Sequence, residues 1–189
     1  LPVPANLQLR CDQHACELSI ETVLRLLPRK RLVLRARWND RVVALKLFAV
    51  DAHGRRHQQR ERAGLAAAQA AGLNAPAILA ECESHDGCYV GLLYAWIDAP
   101  PLSLLWPTFD NAQKQQWLRR LVATMCRLHE SGVYQTDIHP GNFLLHDEML
   151  WMLDLGTIEI SATALNQSQG LANLAALGAQ LTGADRTLL

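Results

Sequence analysis

One stretch of the sequence restricts the fold more than any other: residues 134–145, YQTDIHPGNFLL, followed by the tripeptide DLG that begins at Asp154. Pro140 and Gly141 favour a tight loop within the run rather than a helix or a strand. The apolar residues that follow predict a hairpin, which has strands at residues 143–145 and 149–153 around a turn at residues 146–148. The hairpin would end at Asp154.

Three polar side chains in this segment have a spacing that suits phosphoryl transfer. Asp137 lies five residues before Asn142, and Asp154 lies twelve residues after Asn142. Asp137 could accept the proton of an attacking hydroxyl, while Asn142 and Asp154 could bind the Mg²⁺ that bridges ATP phosphates. The alternative is a surface loop with an Asx turn and an unrelated aspartate. The pattern of strand, turn and strand that leads to DLG favours the functional interpretation.

An apolar predicted strand carries the cation that this chemistry needs. Lys46 is the one polar residue of the segment 42–48, VVALKLF, and a lysine there is costly unless its ammonium group reaches a partner. Glu61 lies fifteen residues later in a predicted helix and is the acidic residue best placed to pair with it. We therefore predict that Lys46 and Glu61 pair. The segment VALK resembles the VAIK strand of kinases, and this resemblance implies that Lys46 binds ATP phosphates and that Glu61 orients it. The alternatives are a solvated edge-strand lysine and a surface ion pair between Glu61 and its arginine neighbours.

Two further features suggest anion binding. His139 is predicted to hold a phosphate oxygen or to orient Asp137, and a purely structural histidine is the alternative. Arg29, Lys30 and Arg31 stand where a glycine-rich loop would otherwise cover the phosphates. They are predicted to bind ATP phosphates or an anionic lipid surface, and a solvated turn is the alternative. Without the glycines the backbone could not close tightly over a nucleotide.

Charge and composition restrict the partners. The chain of 189 residues has no net charge, but residues 1–62 carry 13 Lys and Arg against 6 Asp and Glu, so the rest of the chain is acidic. That acidic remainder argues against nucleic acid as the main partner. No apolar stretch approaches the roughly 18 residues of a membrane span, and no signal peptide is recognisable. Five cysteines without zinc-like spacing predict reduced thiols in a cytosolic protein.

Strands dominate the first half of the predicted pattern. Short apolar runs bounded by turn residues predict five strands, at residues 22–27, 32–38, 41–50, 77–83 and 88–93. Asn39 and Asp40 are predicted to form the hairpin turn between the second and third of these strands. Residues 1–20 are ambiguous.

Helices are predicted mainly in the second half. An Ala-rich segment predicts one helix at residues 57–71, before the Asp-Ala-Pro-Pro segment at residues 98–101 interrupts regular structure. Asp110 caps a predicted helix that runs to about His129, and a last helix or helix pair is predicted at residues 165–181. The sequence therefore predicts a sheet-rich part, a linker and a helical part.

Together these residues resemble the kinase-like superfamily and, within it, the bacterial lipopolysaccharide core kinases, which phosphorylate Kdo or heptose sugars. The likeness spans about residues 20 to 180 and is carried by four segments: VALK, RERAGLAAAQAAGLNAPA, TDIHPGNFLL, and LANLAAL after DLG. Loops with HPGN also occur in aminoglycoside-type phosphotransferases and atypical kinases. Gln135-Thr136 replaces the His-Arg of protein kinases, and no activation segment follows DLG, so control by activation-loop phosphorylation is not expected.

The resemblance implies an α+β, protein-kinase-like two-lobed fold, with a small antiparallel-sheet N-lobe at residues 1–97 and a compact helical C-lobe at residues 98–189. It implies an ATP- and Mg²⁺-dependent kinase that phosphorylates a sugar or lipid-linked sugar acceptor, in the cytoplasm or peripherally on the inner face of the cytoplasmic membrane. An atypical small-molecule or protein kinase is the first alternative. A pseudokinase scaffold is the second: the absent glycine loop favours it, and the retained Lys46, Asp137, Asn142 and Asp154 oppose it.

Overall fold

The computed structural model describes residues 5–51 and 53–180. The chain divides into two compact units, one formed by Leu1–Arg62 with Pro76–Trp96, and the other by Ala63–Ala75 with Ile97–Leu189. The first unit contains a β-barrel. The second contains two short two-stranded sheets and several helices.

The barrel is closed, antiparallel and six-stranded, and its strands neighbour one another in the order β1-β2-β3-β4-β6-β5. The six strands are β1 (Asn6–Cys11), β2 (His14–Leu27), β3 (Arg31–Trp38), β4 (Arg41–Ala49), β5 (Ile78–Ser84) and β6 (Tyr89–Ala95). Successive side chains of a strand point to opposite faces. In β4 this alternation directs Val43, Leu45 and Leu47 into the barrel core, where Leu34 and Ala36 of β3 also lie.

The predicted fold class was wrong. We expected a protein-kinase-like two-lobed α+β fold with a helical C-lobe, whereas the structure has a closed six-stranded barrel and few helices. The barrel closes because β1, in the segment that the sequence left ambiguous, pairs with β5: Leu9 lies opposite Ser84 and Cys11 opposite Cys82. The second part of the chain is less helical than expected because residues 133–135 and 158–160 also pair as two strands there.

The hairpin of β1 and β2 was missed because its turn has no strong sequence signal. Asp12 and Gln13 form the turn and both have positive φ, 46° and 74°, although Gly or Asn usually occupies such positions. By contrast, the predicted turn at Asn39 and Asp40 is confirmed, with φ of 47° and 61°. The five predicted strands are confirmed as β2 to β6, and β2 begins eight residues earlier than predicted.

Helix α1 (Gly54–Ala70) corresponds to the predicted Ala-rich helix. The remaining described α-helices and strands are α2 (Leu102–Leu105), α3 (Asn111–Glu130), β7 (Val133–Gln135), β8 (Phe143–His146), β9 (Met149–Met152), β10 (Ile158–Ile160) and α4 (Gln167–Ala179). Strand β7 pairs with β10, and β8 pairs with β9. The predicted hairpin before Asp154 is therefore confirmed. Leu181, the predicted end of the last helix, lies outside the described residues.

The predicted cap of α3 is confirmed. A carboxylate oxygen of Asp110 accepts a 2.8 Å hydrogen bond from the Gln113 backbone N–H, and Oε1 of Gln113 accepts a 3.0 Å bond from the Asp110 N–H. This reciprocal capping box satisfies two N–H groups that a helix start leaves without partners. One face of α3 is apolar and buried, and its members include Trp117, Leu118, Leu121, Met125 and Leu128. Among the described residues, no helix combines the length and the apolar character needed to cross a bilayer.

The cysteines differ from the prediction that all are reduced. Cys11 and Cys16 form a disulfide across the β1–β2 hairpin, which the sequence did not reveal. The Sγ atom of Cys82 lies 3.0 Å from that of Cys11. Burial, followed by the nearby charges of Asp12 and Glu81, raises the pKa of the Cys82 thiol to about 12. This thiol is therefore protonated at neutral pH.

Candidate functional site

The loop after β7 positions Asp137 and Asn142. Asn142 is buried, whereas Asp137 is exposed. The Nδ2 atom of Asn142 donates a 2.9 Å hydrogen bond to the backbone carbonyl of Asp137, and the Asn142 backbone N–H donates a 3.0 Å bond to the carbonyl of His139. The loop is thus closed by its own residues. The side chain of Asn142 also carries an amide oxygen, which is the type of atom that Mg²⁺ binds.

His139 caps the turn at Pro140–Asn142. Its Nδ1 atom accepts a 3.1 Å hydrogen bond from the Gly141 backbone N–H. A Cβ atom at Gly141 would lie 3.0 Å from the imidazole ring, so glycine allows the ring to lie against the turn. Because Nδ1 is an acceptor, the neutral ring carries its proton on Nε2. This geometry gives His139 the structural role that the sequence left as an alternative, and its contact with a phosphate stays a prediction.

Asp154 lies at the end of the β8–β9 hairpin, on the same side as Asn142. Phe143 pairs with Met152, and the Leu153 backbone N–H donates a 2.8 Å hydrogen bond to the carbonyl of Asn142. The residue before Asp154 is therefore bonded to one predicted metal ligand. Asp154 itself has a left-handed backbone, φ 53° and ψ 53°. That conformation costs a non-glycine residue on the order of 1 kcal/mol and is concentrated at functional positions.

A second sheet joins the chain before Asp137 to the chain after Asp154. Gln135 of β7 pairs with Ile158 of β10, and the Thr136 backbone N–H donates a 3.1 Å hydrogen bond to the Thr157 carbonyl. The Thr136 hydroxyl donates to the same carbonyl. The Thr157 hydroxyl in turn lies 3.2 Å from Oε1 of Gln135. The segment that contains Asp137 and Asp154 is thus bracketed by two paired strands, β7 before Asp137 and β10 after Asp154.

A buried amide that sequence reasoning missed supports β7. Asn173 of α4 has no exposed surface, and its Nδ2 atom donates a 2.6 Å hydrogen bond to the Gln135 carbonyl. Its Oδ1 atom accepts a 3.3 Å bond from the Gln135 N–H and lies 3.1 Å from Nε2 of His129. Asn173 therefore satisfies both backbone groups of a residue two positions before Asp137. The available signal was a single polar residue within the apolar segment LANLAAL.

In the first unit, Lys46 and Glu61 form a buried ion pair. The Nζ atom of Lys46 lies 2.7 Å from Oε2 of Glu61, and both side chains are buried. Lys46 lies on the outer face of the barrel, because its neighbours Leu45 and Leu47 point into the core. The predicted pairing is thus observed, and neither a solvated lysine nor a surface ion pair describes these side chains. Their role in nucleotide binding stays a prediction.

The backbones of β4 and β6 approach each other closely beside the Lys46–Glu61 pair. Strand β6 runs beside β4 with Gly91 opposite Leu47, and a Cβ atom at Gly91 would lie 2.5 Å from the Lys46 carbonyl oxygen. The Gly91 carbonyl accepts a 2.9 Å hydrogen bond from Nε2 of Gln58 in α1. Gln58, three residues before Glu61 in α1, is thereby bonded to β6, the strand beside the one that carries Lys46.

The basic turn lies at the tip of the β2–β3 hairpin. The Lys30 backbone N–H donates a 3.0 Å hydrogen bond to the Leu27 carbonyl, and Arg29 has a φ of 57°. Arg29 and Lys30 are exposed, and Arg31 is partly buried at the start of β3. The binding of ATP phosphates or of lipid by these residues stays a prediction.

The predicted metal site consists of one carboxylate and one amide. In the part of the chain that the structure describes, no three or more His, Cys, Asp or Glu residues are grouped to hold a metal ion. Asn142 and Asp154 would therefore share a Mg²⁺ ion with phosphate and water oxygens, which is how this ion is usually bound beside nucleotides. Their oxygen donors fit that requirement.

No protein-family model matches the sequence, and no curated protein matches it. Chemistry resides in a site rather than in a fold, so the side chains and their geometry carry the functional conclusion.

Proposed function

We propose that the protein is an ATP- and Mg²⁺-dependent phosphotransferase with an alcohol group as acceptor. One observation carries the proposal: Asn142 is bonded through its side chain to the Asp137 carbonyl and through its own carbonyl to Leu153, next to Asp154. Hydrogen bonds of Asn142 thus connect the loop of Asp137 to the end of the hairpin that leads to Asp154. The buried pair of Lys46 and Glu61 supports the proposal independently.

Each side chain has a defined role in this proposal. The exposed carboxylate of Asp137 accepts the proton of the acceptor hydroxyl while that oxygen bonds to the γ-phosphorus of ATP and the bond to the leaving ADP oxygen breaks. Asn142 and Asp154 supply oxygen ligands. Mg²⁺ bound there would neutralise phosphate charge. Lys46 adds positive charge for the phosphate oxygens, and Glu61 holds its ammonium group in one direction. Most of the catalysis then comes from positioning and charge neutralisation.

As acceptor we favour a sugar hydroxyl of the lipopolysaccharide core, Kdo or heptose, at the inner face of the cytoplasmic membrane. The sequence resemblance supports this choice. A small molecule or a protein would require the same residues. The pseudokinase alternative is favoured by the basic turn between β2 and β3, where Arg29, Lys30 and Arg31 stand in place of glycines.

The experiment that tests the proposal measures transfer of labelled phosphate from ATP, with and without Mg²⁺. The acceptors are isolated core oligosaccharide fractions, a general protein substrate and water, and the position of the product phosphate is mapped. Transfer to a core fraction that requires Mg²⁺ supports the proposal with its acceptor. Transfer to protein alone supports the chemistry and replaces the acceptor. Nucleotide binding without transfer to any of them favours the scaffold.

A further inference from the structure

The far end of the β2–β3 hairpin exposes an unusual number of apolar side chains. The exposed fraction is 41% for Val23, 48% for Leu24, 50% for Leu26 and 36% for Leu27. β1 pairs with β2 as far as Ser19, and the Ile20 backbone N–H donates a 2.7 Å hydrogen bond to the carbonyl of Ala5, just before β1. Among the described residues, the other edge of β2 beyond that point therefore has no strand beside it. Clustered apolar exposure of this kind marks an interaction surface rather than ordinary solvent-exposed sequence.

The same end of the hairpin is strongly basic. Residues 22–35 contain five Lys and Arg residues and no Asp or Glu. Arg25, Arg29 and Lys30 are exposed. Glu21, the acidic residue just before this segment, lies 3.3 Å from Arg35 and 3.0 Å from Arg37. These two arginines are farther from the end of the hairpin, and they compensate the charge of Glu21.

We propose that residues 22–31, which we term the hairpin tip, are a docking surface for an anionic membrane. Leucine side chains of the tip would enter the interface between headgroups and acyl chains, while Arg25, Arg29 and Lys30 contact anionic headgroups. Apolar side chains flanked by cations are the pattern that such an interface selects. The proposal does not depend on the transferase activity, because it concerns only where the protein binds.

The geometry favours a membrane over a protein strand. The pairing of β2 with β3 is shifted between Ile20 and Thr22 and again between Val23 and Arg25. Bulges of this kind interrupt the regular row of backbone groups that an added strand needs. Leu26 and Leu27 are consecutive and thus project to opposite faces of the ribbon. One flat partner surface would cover one of these faces, whereas the headgroup region of a bilayer surrounds both.

The experiment is co-flotation of the whole protein with vesicles. One set contains phosphatidylcholine alone, and the other contains about a quarter phosphatidylglycerol, which makes the surface anionic. Each Lys or Arg near an anionic surface strengthens binding about fivefold, so the two sets should differ clearly. The apolar variant is Leu24→Ser with Leu26→Ser, and the charge variant is Arg25→Ser, Arg29→Ser and Lys30→Ser. The matched controls replace exposed residues elsewhere: Leu104→Ser with Leu171→Ser, and Arg56→Ser with Arg60→Ser and Arg119→Ser.

The expected result is binding of the wild-type protein to anionic vesicles and much weaker binding to neutral ones. The charge variant should bind anionic vesicles at least about tenfold more weakly, and added salt should reduce the difference from wild type. The apolar variant should also lose binding, while both controls bind like wild type. Unchanged melting temperatures would show that the variants are folded, which is expected because the altered side chains are exposed.

Three outcomes would overturn the proposal. The first is a wild-type protein that does not bind anionic vesicles. The second is binding by the tip variants equal to that of wild type, or an equal loss in the controls. The third is self-association in sedimentation that the apolar variant abolishes, together with unchanged vesicle binding. In that last case the hairpin tip would contact a second copy of the chain.

Discussion

The Nζ atom of Lys46 lies 2.7 Å from Oε2 of Glu61, and both side chains are buried. Each charge has lost most of its contact with water, and the ion pair offsets part of that desolvation cost. The pair therefore affects stability in a way that can be separated from its proposed role in catalysis.

Replacing Glu61 by Leu should lower the free energy of unfolding by about 3 kcal/mol, because the buried Lys46 ammonium loses the carboxylate that lies 2.7 Å from it. The double variant Lys46→Met with Glu61→Leu should regain most of this loss, since neither charge of the pair remains. It should not regain phosphoryl transfer, which needs the cation. Chemical denaturation of both single variants and the double variant measures the coupling. Additive losses would show that the two charges do not depend on each other.

Gly64 should not tolerate alanine although it lies inside α1. Alanine normally stabilises a helix interior by about 1 kcal/mol relative to glycine. Here a Cβ atom would overlap the carbonyl of Leu155, the residue after Asp154. We expect Gly64→Ala to destabilise the protein by about 1 to 3 kcal/mol, the usual range for overpacking. In the control Gly170→Ala, the nearest atom, Nδ1 of His129, is 3.3 Å away, and the loss should be smaller. A more stable Gly64→Ala protein would refute the close approach.

Alkylation should distinguish the three free cysteines. The raised pKa of Cys82, about 12, leaves very little thiolate at pH 8, and the side chain is buried. Cys88 and Cys126 are exposed, and the hydrogen bond to Asp86 raises the pKa of Cys88. Because the thiolate is the reactive form, mass spectrometry should find that the exposed Cys88 and Cys126 react faster than the buried Cys82. Denaturant should remove the protection of Cys82, and rapid labelling of native Cys82 would contradict its placement.

Asp154→Ala and Asn142→Ala should each reduce the extra thermal stabilisation that Mg²⁺ adds to ATP binding. Both variants remove an oxygen ligand from the proposed metal site. Asn142→Ala also removes the hydrogen bond to the Asp137 carbonyl. The quantity to compare is therefore the shift in melting temperature between ATP alone and ATP with Mg²⁺. The exposed Asp147, in the turn between β8 and β9, provides the control Asp147→Ala. Wild-type shifts in both variants would exclude these residues as ligands.

Local structure could be predicted from the sequence, because its causes lie within a few residues. The turn at Asn39 and Asp40, the capping box at Asp110 and the hairpin before Asp154 depend on backbone preference and short-range hydrogen bonds. The candidate site was predictable to the same extent, since Asp137 and Asn142 are linked within one loop. Lys46 and Glu61 could be matched because a buried lysine in an apolar strand requires an acidic partner.

The closed barrel could not be predicted in this way. Its closure depends on the pairing of Leu9 with Ser84 and of Cys11 with Cys82, residues more than 70 positions apart. No local pattern in the ambiguous N-terminal segment specifies that register. The role of Asn173 is likewise set by the packing of α4 against β7. The sequence alone does not state which backbone group that amide will meet.

The most direct measurement of the central claim compares phosphoryl transfer from labelled ATP by the wild-type protein, by Asp137→Asn and by the control Asp147→Asn, with core oligosaccharide as acceptor and Mg²⁺ present. Loss of the general base should slow turnover by Asp137→Asn about 10²-fold or more. ATP affinity should change little, and Asp147→Asn should match wild type. Equal turnover by Asp137→Asn and wild type would contradict the assignment of Asp137 and, with it, the proposed mechanism.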